Sequence, residues 1–360
     1  MTPQASGFLQ QLALQTQVLA GLQWLCESQI LACIPLDAPV TFVEVADISN
    51  VSVDQLQRVV RLMATAGFLC EPNDGHVAHT PLSAAFVTEP ALLDAALYLS
   101  RTAVPVALKM PPAVQPSAPS DTAQPKAQRQ FAAYMAHGIL DEEHAVDELL
   151  KCVDWNAFDS ATVVDVHPPS MATVVQLAAL APALQFVVQP VSAGGPSWTT
   201  RGLPPAVENR ISVQPRTAAV PQTVLGSAVY ILRLASLSPQ LPWATIRSQT
   251  MLELRAHLHA LRAQPASRLL LTALVLPRPG DVDHWTDAMV RLRDLSLLQL
   301  SNDRQPSKPE IVDLVTSVRD SAGSLVLSNE THAPRNAVLA LEVRYEADHR
   351  RADGAVHLVP

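Results

Sequence analysis

Glycine is scarce in this sequence. The 360 residues include 12 glycines but 30 prolines, whereas average proteins contain roughly 7% glycine and about 5% proline. Glycine adopts positive φ angles freely and lets a backbone approach a ligand closely. A chain that wraps a cofactor in flexible loops usually keeps more glycine, so the composition does not favour a glycine-rich binding loop.

Cysteine and clustered positive charge are also sparse. The four cysteines have no Cys-x-x-Cys spacing, which predicts neither a disulfide framework nor a zinc ribbon and fits a reduced intracellular compartment. The net charge is −8, and no run of Lys or Arg exceeds two residues. We therefore do not expect unaided binding to nucleic acid or to an anionic membrane. We also expect no N-terminal signal peptide and no apolar run long enough to span a bilayer.

The N-terminal part of the chain shows a helical pattern. Apolar residues recur at three- and four-residue steps over Phe8–Cys33, and short helices are predicted over Thr41–Ile48 and Ser52–Gly67. A β-hairpin with an Asn-Asp-Gly turn is predicted over Phe68–His79. Helix, helix and hairpin in this order predict a winged helix-turn-helix.

The second of these short helices has two interpretations. Ser52 and Gln55 have the spacing of a capping box, and Arg58 and Arg61 follow on the helix. The arginines could contact DNA. Alternatively they are solvated residues of a packing or dimerisation module, which the acidic residues nearby favour, because they make a poor phosphate-binding surface.

The rest of the chain predicts an α/β fold. Helical patterns alternate with seven strand candidates, which are Thr162–Val166, Gln185–Gln189, Ile211–Gln214, Ala228–Leu232, Arg268–Leu276, Ser324–Ser328 and Ala337–Tyr345. This alternation predicts a doubly wound, mostly parallel sheet whose last strand is antiparallel. The expected domains are a helical winged-helix dimerisation domain over 1–108, a proline-rich linker over 109–127 and the α/β domain over 128–360.

The turn after the first of these strands lacks glycine. It consists of His167, Pro168, Pro169, Ser170 and Met171. A nucleotide-binding turn at this place needs glycines, whereas two prolines remove two N–H donors and His167 and Met171 place side chains where a ligand would lie. We expect an intact fold with a closed site.

Several segments resemble the dimeric S-adenosylmethionine-dependent O-methyltransferases of plants and fungi. They are Leu69–Pro72, Thr80–Ser83, Val163–Val166, Phe186–Gln189, Val229–Arg233 and Asp294–Asn302. The resemblance implies a Rossmann-like methyltransferase domain behind a helical winged-helix domain. Three features of that family are missing from this sequence. The glycine-rich turn is absent, Gln189 and Pro190 replace the acidic residue that would hold the ribose, and Leu237 replaces the catalytic histidine. Leucine cannot act as a general base, so no catalytic residue and no cofactor are expected.

A closer resemblance is to the transcriptional co-activator family of fungal aflatoxin-type gene clusters. The matching segments are Leu31–Asp37, Gly67–Pro72, Gly75–His79, Phe86–Asp94 and Asp294–Leu300. This resemblance implies a catalytically inactive methyltransferase scaffold, located in the nucleus alone or in both nucleus and cytoplasm. It would act with a zinc-cluster (Zn2Cys6) DNA-binding activator in an aromatic polyketide cluster. It would form a homodimer, contact DNA only indirectly and bind no membrane. The alternative is an active O-methyltransferase, or a methyltransferase-fold cyclase, of the same pathway.

The remaining polar groups predict no site. His137, Asp141 and His144 fall on one face of a predicted helix over Gln128–Val153. Their spacing is compatible with a metal site and also with a solvated polar face. We expect the polar face and no metal. His257 and His259 are two residues apart on a helix and cannot face one ligand. His76 and His79 are expected to be turn and surface residues, and Asp165 to fix local backbone.

Overall fold

A computed structural model of the chain describes residues 3–109, 125–158, 160–191, 198, 200, 202–238, 240–278, 280–334 and 336–348. Their contacts define two compact units, Met1–Asp141 with Leu298–Asn302 and Glu142–Leu297 with Asp303–Pro360. Most of the predicted linker, residues 110–124, lies outside the described residues.

The first unit is mostly helical. Its elements are α1 (Pro3–Glu27), α2 (Ile30–Cys33), β1 (Val40–Thr41), α3 (Phe42–Ser49), α4 (Val53–Thr65), β2 (Leu69–Cys70), β3 (His76–His79), α5 (Pro81–Thr88), α6 (Pro90–Tyr98), α7 (Val104–Lys109) and α8 (Pro125–Ala133), with π-helical turns at Leu99–Ala103 and Tyr134–Ile139. The three short strands form an antiparallel sheet in the order β1-β3-β2. The predicted first helix is interrupted at Gln29, whose φ is 55°.

Two helices of this unit begin differently from each other. α3 has a capping box, in which the Glu44 N–H donates to Thr41 Oγ1 at 3.2 Å and the Thr41 N–H donates to Glu44 Oε2 at 3.1 Å. Ser52 stands at the N-cap of α4 but makes no side-chain cap bond, so the predicted Ser52–Gln55 capping box is wrong. A capping box depends on side-chain rotamers as well as on spacing, and the spacing alone does not fix them.

One helical run in this unit is longer and more apolar than expected. From Pro90 to Lys109 the helix continues through the π-helical turn, and by length and composition it could cross a membrane. The expectation that no run is long enough is therefore wrong. The core helices of globular proteins pass the same test, and Asp94 and Arg101 within this run are ion-paired with Arg129 and Glu27.

The second unit contains α9 (Glu142–Lys151), β4 (Thr162–Val166), α10 (Ala172–Leu180), β5 (Gln185–Gln189), α11 (Pro205–Glu208), β6 (Ile211–Val213), β7 (Val229–Arg233), α12 (Trp243–Ala263), β8 (Arg268–Leu274), most of α13 (His284–Ser301), α14 (Lys308–Thr316), β9 (Gly323–His332) and β10 (Val338–Ala347). Its strands form one sheet in the order β6-β5-β4-β7-β8-β10-β9. The first five strands are parallel and β10 runs antiparallel to both neighbours, which confirms the predicted fold class.

Two predicted boundaries differ from the structure. The predicted helix over Gln128–Val153 is divided, because the backbone turns extended at Leu140 (φ −150°) between a π-helical turn and α9. β9 extends to His332, four residues beyond the predicted strand end at Ser328.

The sheet order places a ligand-binding position at β4. The chain passes from β4 to β5 and β6 on one side and then returns to β7 on the other side. In open parallel sheets, ligands bind outside the carboxyl ends of the strands where the order reverses. The ends of β4 and β7, at Val166 and Arg233, therefore mark the candidate site.

Candidate functional site at the carboxyl ends of β4 and β7

The turn after β4 is held by its own hydrogen bonds. His167 has a φ of 48°, a left-handed conformation that costs a non-glycine residue roughly 1–3 kcal/mol. Its backbone N–H donates to the Gln189 carbonyl at 2.9 Å, and its Nε2 donates to the Arg216 carbonyl at 3.1 Å. Pro168 is buried and Pro169 exposed. The imidazole thus anchors a conformation that glycine would otherwise supply.

Ser170, just before α10, makes hydrogen bonds within the protein. Ser170 Oγ donates to Glu143 Oε1 at 2.9 Å and accepts from the Ala172 N–H at 3.3 Å. Met171 occupies the N-cap of α10 and makes no side-chain cap bond. A carboxylate-bound hydroxyl therefore lies at the helix N-terminus, where an anionic group of a ligand would otherwise be favoured.

The position expected to hold a ribose carries a buried amide. Gln189 is 1% exposed and exchanges two hydrogen bonds of 2.9 Å with Gln222. The carbonyl of Pro190 accepts the Arg216 N–H at 2.9 Å. Both groups are satisfied within the protein.

The amide pair continues into a buried histidine. His257 Nδ1 donates to the Glu253 carbonyl at 2.8 Å, and its Nε2 lies 3.1 Å from Gln222 Nε2. Since a carbonyl only accepts, the proton is on Nδ1 and Nε2 accepts from Gln222. Burial lowers the pKa of His257 to about 4, so the ring is neutral at physiological pH.

A buried ion pair completes this polar cluster. Arg216 pairs with Glu253, and their side chains are 4% and 7% exposed. Glu253 Oε2 also accepts the Ala219 N–H at 2.7 Å. No sequence pattern identifies Arg216, Gln222 and Glu253, because 37 residues separate the two charged partners and no spacing rule connects them. His257 is buried and His259 is exposed, as expected of two residues that do not share a helix face.

A cavity of about 550 Å³ remains at this edge of the sheet. The ends of β4 and β7 and residues of α9 and α12 line it, with Val166, Leu232 and Ile246 among its buried walls. Pro169 and His167 are part of the same lining. The expectation of a wholly closed site is therefore wrong: the turn itself is filled, but a space remains beside it.

The residues around the expected catalytic base are engaged with one another. Leu237 is 4% exposed and is not among the residues that line the cavity. Nearby, Ser236 Oγ donates to Glu142 Oε2 at 2.6 Å, and Arg293 Nη2 donates to the same oxygen at 3.1 Å. The hydroxyl of Ser236, which precedes the expected base position, thus has a carboxylate partner.

Asp165 makes an ion pair rather than fixing local backbone as expected. Both of its carboxylate oxygens accept from Arg233, the last residue of β7, in a bidentate arrangement. The side chain of Asp165 is 1% exposed and that of Arg233 is 12% exposed. This pair joins β4 and β7 beneath the cavity.

The other histidine candidates are separated by the fold. Leu140 breaks the helix between His137 and His144, so these residues and Asp141 do not share one helix face. Across the part of the chain that the structure describes, no three His, Cys, Asp or Glu residues are placed to hold a metal ion. His79 is not the surface residue expected, because its Nε2 donates to the Leu31 carbonyl at 3.1 Å and its Nδ1 lies 2.8 Å from Ser83 Oγ.

The arginines of α4 are paired with carboxylates. Arg58 bonds to Asp54 one turn earlier at 3.2 Å. Arg61 donates to both oxygens of Glu71 in the hairpin, at 2.8 and 2.9 Å. These pairs reduce the positive charge available for a DNA phosphate.

Proteins of similar sequence regulate fungal metabolite clusters. The dothistromin biosynthesis regulatory protein aflJ of Dothistroma septosporum is 38% identical over 94% of this chain and 84% of its own length. The trypacidin cluster transcriptional coactivator tpcD of Aspergillus fumigatus is 40% identical over 94% of this chain and 81% of its own length. The aflatoxin cluster transcriptional coactivator aflS of Aspergillus parasiticus is 37% identical over 97% and 86%. No protein-family model matches the chain.

Solved structures of similar shape are enzymes. The dimethyltransferase RosA of Streptomyces davawensis has a TM-score of 0.66 at 18% identity, covering 94% of this chain and 99% of its own. The mitomycin 7-O-methyltransferase MmcR has a TM-score of 0.61 at 17% identity, covering 95% and 98%. LepI, solved in complex with S-adenosylmethionine, has a TM-score of 0.61 at 16% identity, covering 96% and 90%. At these identities the likeness shows the fold alone.

The fold is therefore that of the methyltransferases, whereas the extended sequence identity is to regulators. The chain belongs to the family of transcriptional coactivators of fungal secondary-metabolite gene clusters.

Proposed function

We propose that this protein is a transcriptional coactivator of a fungal aromatic polyketide gene cluster that performs no methyl transfer. One combination of observations carries the proposal. The relatives of similar sequence are transcriptional coactivators, and protein side chains occupy the turn where a methyltransferase would bind its cofactor. In the cell it acts in the nucleus together with a DNA-binding Zn2Cys6 activator.

The contacts around the former cofactor site support a non-catalytic role. His167 and Gln189 stand where a methyltransferase would meet its cofactor, and both are already hydrogen-bonded within the protein. Binding a cofactor there would break these bonds, and an unsatisfied buried polar group costs about 1–3 kcal/mol. At Leu237 no side chain can accept a proton from a substrate hydroxyl.

The negative net charge of the chain supports the proposal that a partner protein makes the DNA contacts. The chain carries a net charge of −8, and the α4 arginines are paired with Asp54 and Glu71. Phosphate neutralisation supplies most of the affinity of DNA-binding proteins. The activator therefore provides the basic DNA-reading surface, and the coactivator reaches the promoter through it.

The first half of α1 supports homodimer formation. Phe8, Leu9 and Leu12 are 62%, 56% and 44% exposed. Steps of one, three and four residues place these three side chains on one side of the helix, and contiguous exposed apolar side chains are typical of association surfaces. We propose that residues 1–108 form the dimerisation domain and that this α1 surface joins two copies.

Co-precipitation tests the partnership. The full chain and the Zn2Cys6 activator of its own cluster are expressed together and recovered at near-physiological salt. We expect them to co-purify, and we expect Arg58→Ala to leave recovery unchanged, because this exposed residue bonds within its own helix. Failure of two folded proteins to co-purify would contradict the proposal.

A further inference from the structure

The cavity at the ends of β4 and β7 has a lining with little free charge. Arg233 is neutralised by Asp165, and Glu253 is neutralised by Arg216. Glu142 accepts from Arg293, which is 2% exposed. Each of these three charged lining groups thus has an oppositely charged partner inside the protein.

One further charged residue lines the cavity. Glu143 is exposed and accepts a hydrogen bond from Ser170, so water solvates its charge. A charged ligand entering the cavity would lose its hydration without gaining a free, buried counter-charge, and such desolvation is costly. The electrostatics of the lining therefore favour an uncharged ligand.

The walls of the cavity are mainly aliphatic. Val166, Leu232, Leu234 and Ile246 are between 1% and 7% exposed, and they form the inner surface. Ligand sites typically have volumes of roughly 300–1,000 Å³, apolar walls and a few polar groups that fix orientation. The volume of about 550 Å³ lies within that range.

A few hydrogen-bonding groups stand in these walls. Thr250 and Ser236 are among the lining residues, and Ser236 Oγ, which donates to Glu142, keeps acceptor capacity. A hydroxyl or carbonyl group on a ligand can pair with them. The turn after β4 contributes few hydrogen-bond donors to the cavity, since Pro168 and Pro169 have no N–H.

We propose that this cavity binds an uncharged, largely apolar small molecule with a few hydroxyl or carbonyl groups, and that the ligand stabilises the coactivator. The inference rests on the proposed function, because a coactivator that binds a product or intermediate of its own cluster couples transcription to metabolite level. A ligand that binds only the folded state raises the melting temperature by mass action.

The test uses two probes that share one ring system and differ in charge. 9-Anthracenemethanol is neutral and 9-anthracenecarboxylate is anionic, and both are fluorescent. Titration of the full chain is expected to show saturable one-to-one binding of the alcohol in the micromolar range and at least tenfold weaker binding of the carboxylate. The alcohol is expected to raise the melting temperature by a few degrees.

Two variants locate the binding. Ala218→Trp fills the exposed rim of the cavity and is expected to weaken alcohol binding at least tenfold, whereas Ala179→Trp, on the exposed side of α10 and away from the lining, is expected to have no effect. The melting temperature without ligand checks that each variant is folded, and Ala235→Trp, a second rim position, replaces Ala218→Trp if that variant does not fold.

Three results would overturn the inference: no saturable binding of the alcohol, tighter binding of the carboxylate, or undiminished binding by the folded rim variant. The proposed function is read separately, from cluster transcripts in cells. If the chain activates transcripts normally but binds no ligand, the ligand-binding inference fails and the proposed coactivator function stands. If S-adenosylmethionine binding and turnover are measured, both the inference and the proposed function fail.

Discussion

Gln189 and Gln222 exchange two amide hydrogen bonds of 2.9 Å inside the second unit, at the end of β5 where a methyltransferase would hold a ribose. The pair is 1% and 2% exposed. An acidic residue at this position would disrupt the pair, because a carboxylate has no N–H to donate to Gln222. The former ligand position has thus become part of the protein's own buried hydrogen-bond network.

The substitution Gln189→Glu tests that network. It removes the donor to Gln222 Oε1 and buries a carboxylate, and we expect it to lower the free energy of unfolding by about 1–3 kcal/mol without creating affinity for S-adenosylmethionine. Gln185→Glu, on the exposed start of the same strand, is the matched control and should change stability by less than about 0.5 kcal/mol. Denaturant unfolding and calorimetry measure the two quantities. A stable Gln189→Glu protein that binds the cofactor would contradict this account.

The ion pair of Asp165 and Arg233 makes a second prediction. Because Asp165 is buried and Arg233 is largely so, removing one partner by Asp165→Asn or Arg233→Met leaves the other uncompensated and is expected to cost about 3 kcal/mol. The double variant should recover part of that loss. Asp54→Asn, which breaks the exposed pair with Arg58, should cost about 1 kcal/mol or less. Equal effects at both pairs, measured by denaturant unfolding, would argue against a structural role for the buried one.

The buried histidine predicts a pH dependence. The pKa of His257 is lowered by burial to about 4, below the value of about 6.5 for an unfolded histidine. Folded protein therefore binds fewer protons than unfolded protein between these values. The stability that depends on this group is complete above about pH 6.5 and is lost as the pH falls to about 4, by about 3 kcal/mol in all.

The variant His257→Gln isolates this contribution, since glutamine does not titrate. Unfolding free energies of both proteins are measured at several pH values between 4 and 7. We expect the stability of the wild-type protein to fall more steeply toward low pH. Parallel curves would show that His257 is not held neutral by its surroundings.

The exposed half of α1 predicts a change of oligomeric state. Leu12→Glu places a charge within the apolar surface and is expected to convert the homodimer to a monomer, because an unpaired carboxylate resists burial in an interface. Ile48→Glu, at a residue that is 68% exposed on α3, is the control and should leave the dimer intact. Light scattering after size-exclusion chromatography gives the mass. A wild-type monomer would refute the proposed interface.

Sequence patterns predicted the strands of the sheet well. The bounds of β4 and β5 agree with the predicted ones to the residue, because buried parallel strands are short β-branched runs with clear ends. The degenerate turn was also visible, since Pro168 and Pro169 lack N–H groups whatever their surroundings. The left-handed backbone conformation of His167 could not be predicted from the sequence.

The polar cluster beneath that turn was beyond sequence analysis. Arg216 and Glu253 lie on a loop and on α12, and only the folded sheet brings them together. The cavity was missed for a related reason: filling one turn does not determine the space between that turn, β7 and α12. Pairing across long sequence separations depends on tertiary packing, which periodicity does not report.

The central claim is that this methyltransferase fold serves transcription. Deletion of its gene, followed by measurement of transcripts across the cluster and of the pathway metabolites, tests the claim most directly. We predict that transcripts of the whole cluster fall together, and that re-expression of the wild-type chain restores them. Unchanged transcripts with the loss of a single chemical step, and accumulation of that step's substrate, would contradict the account.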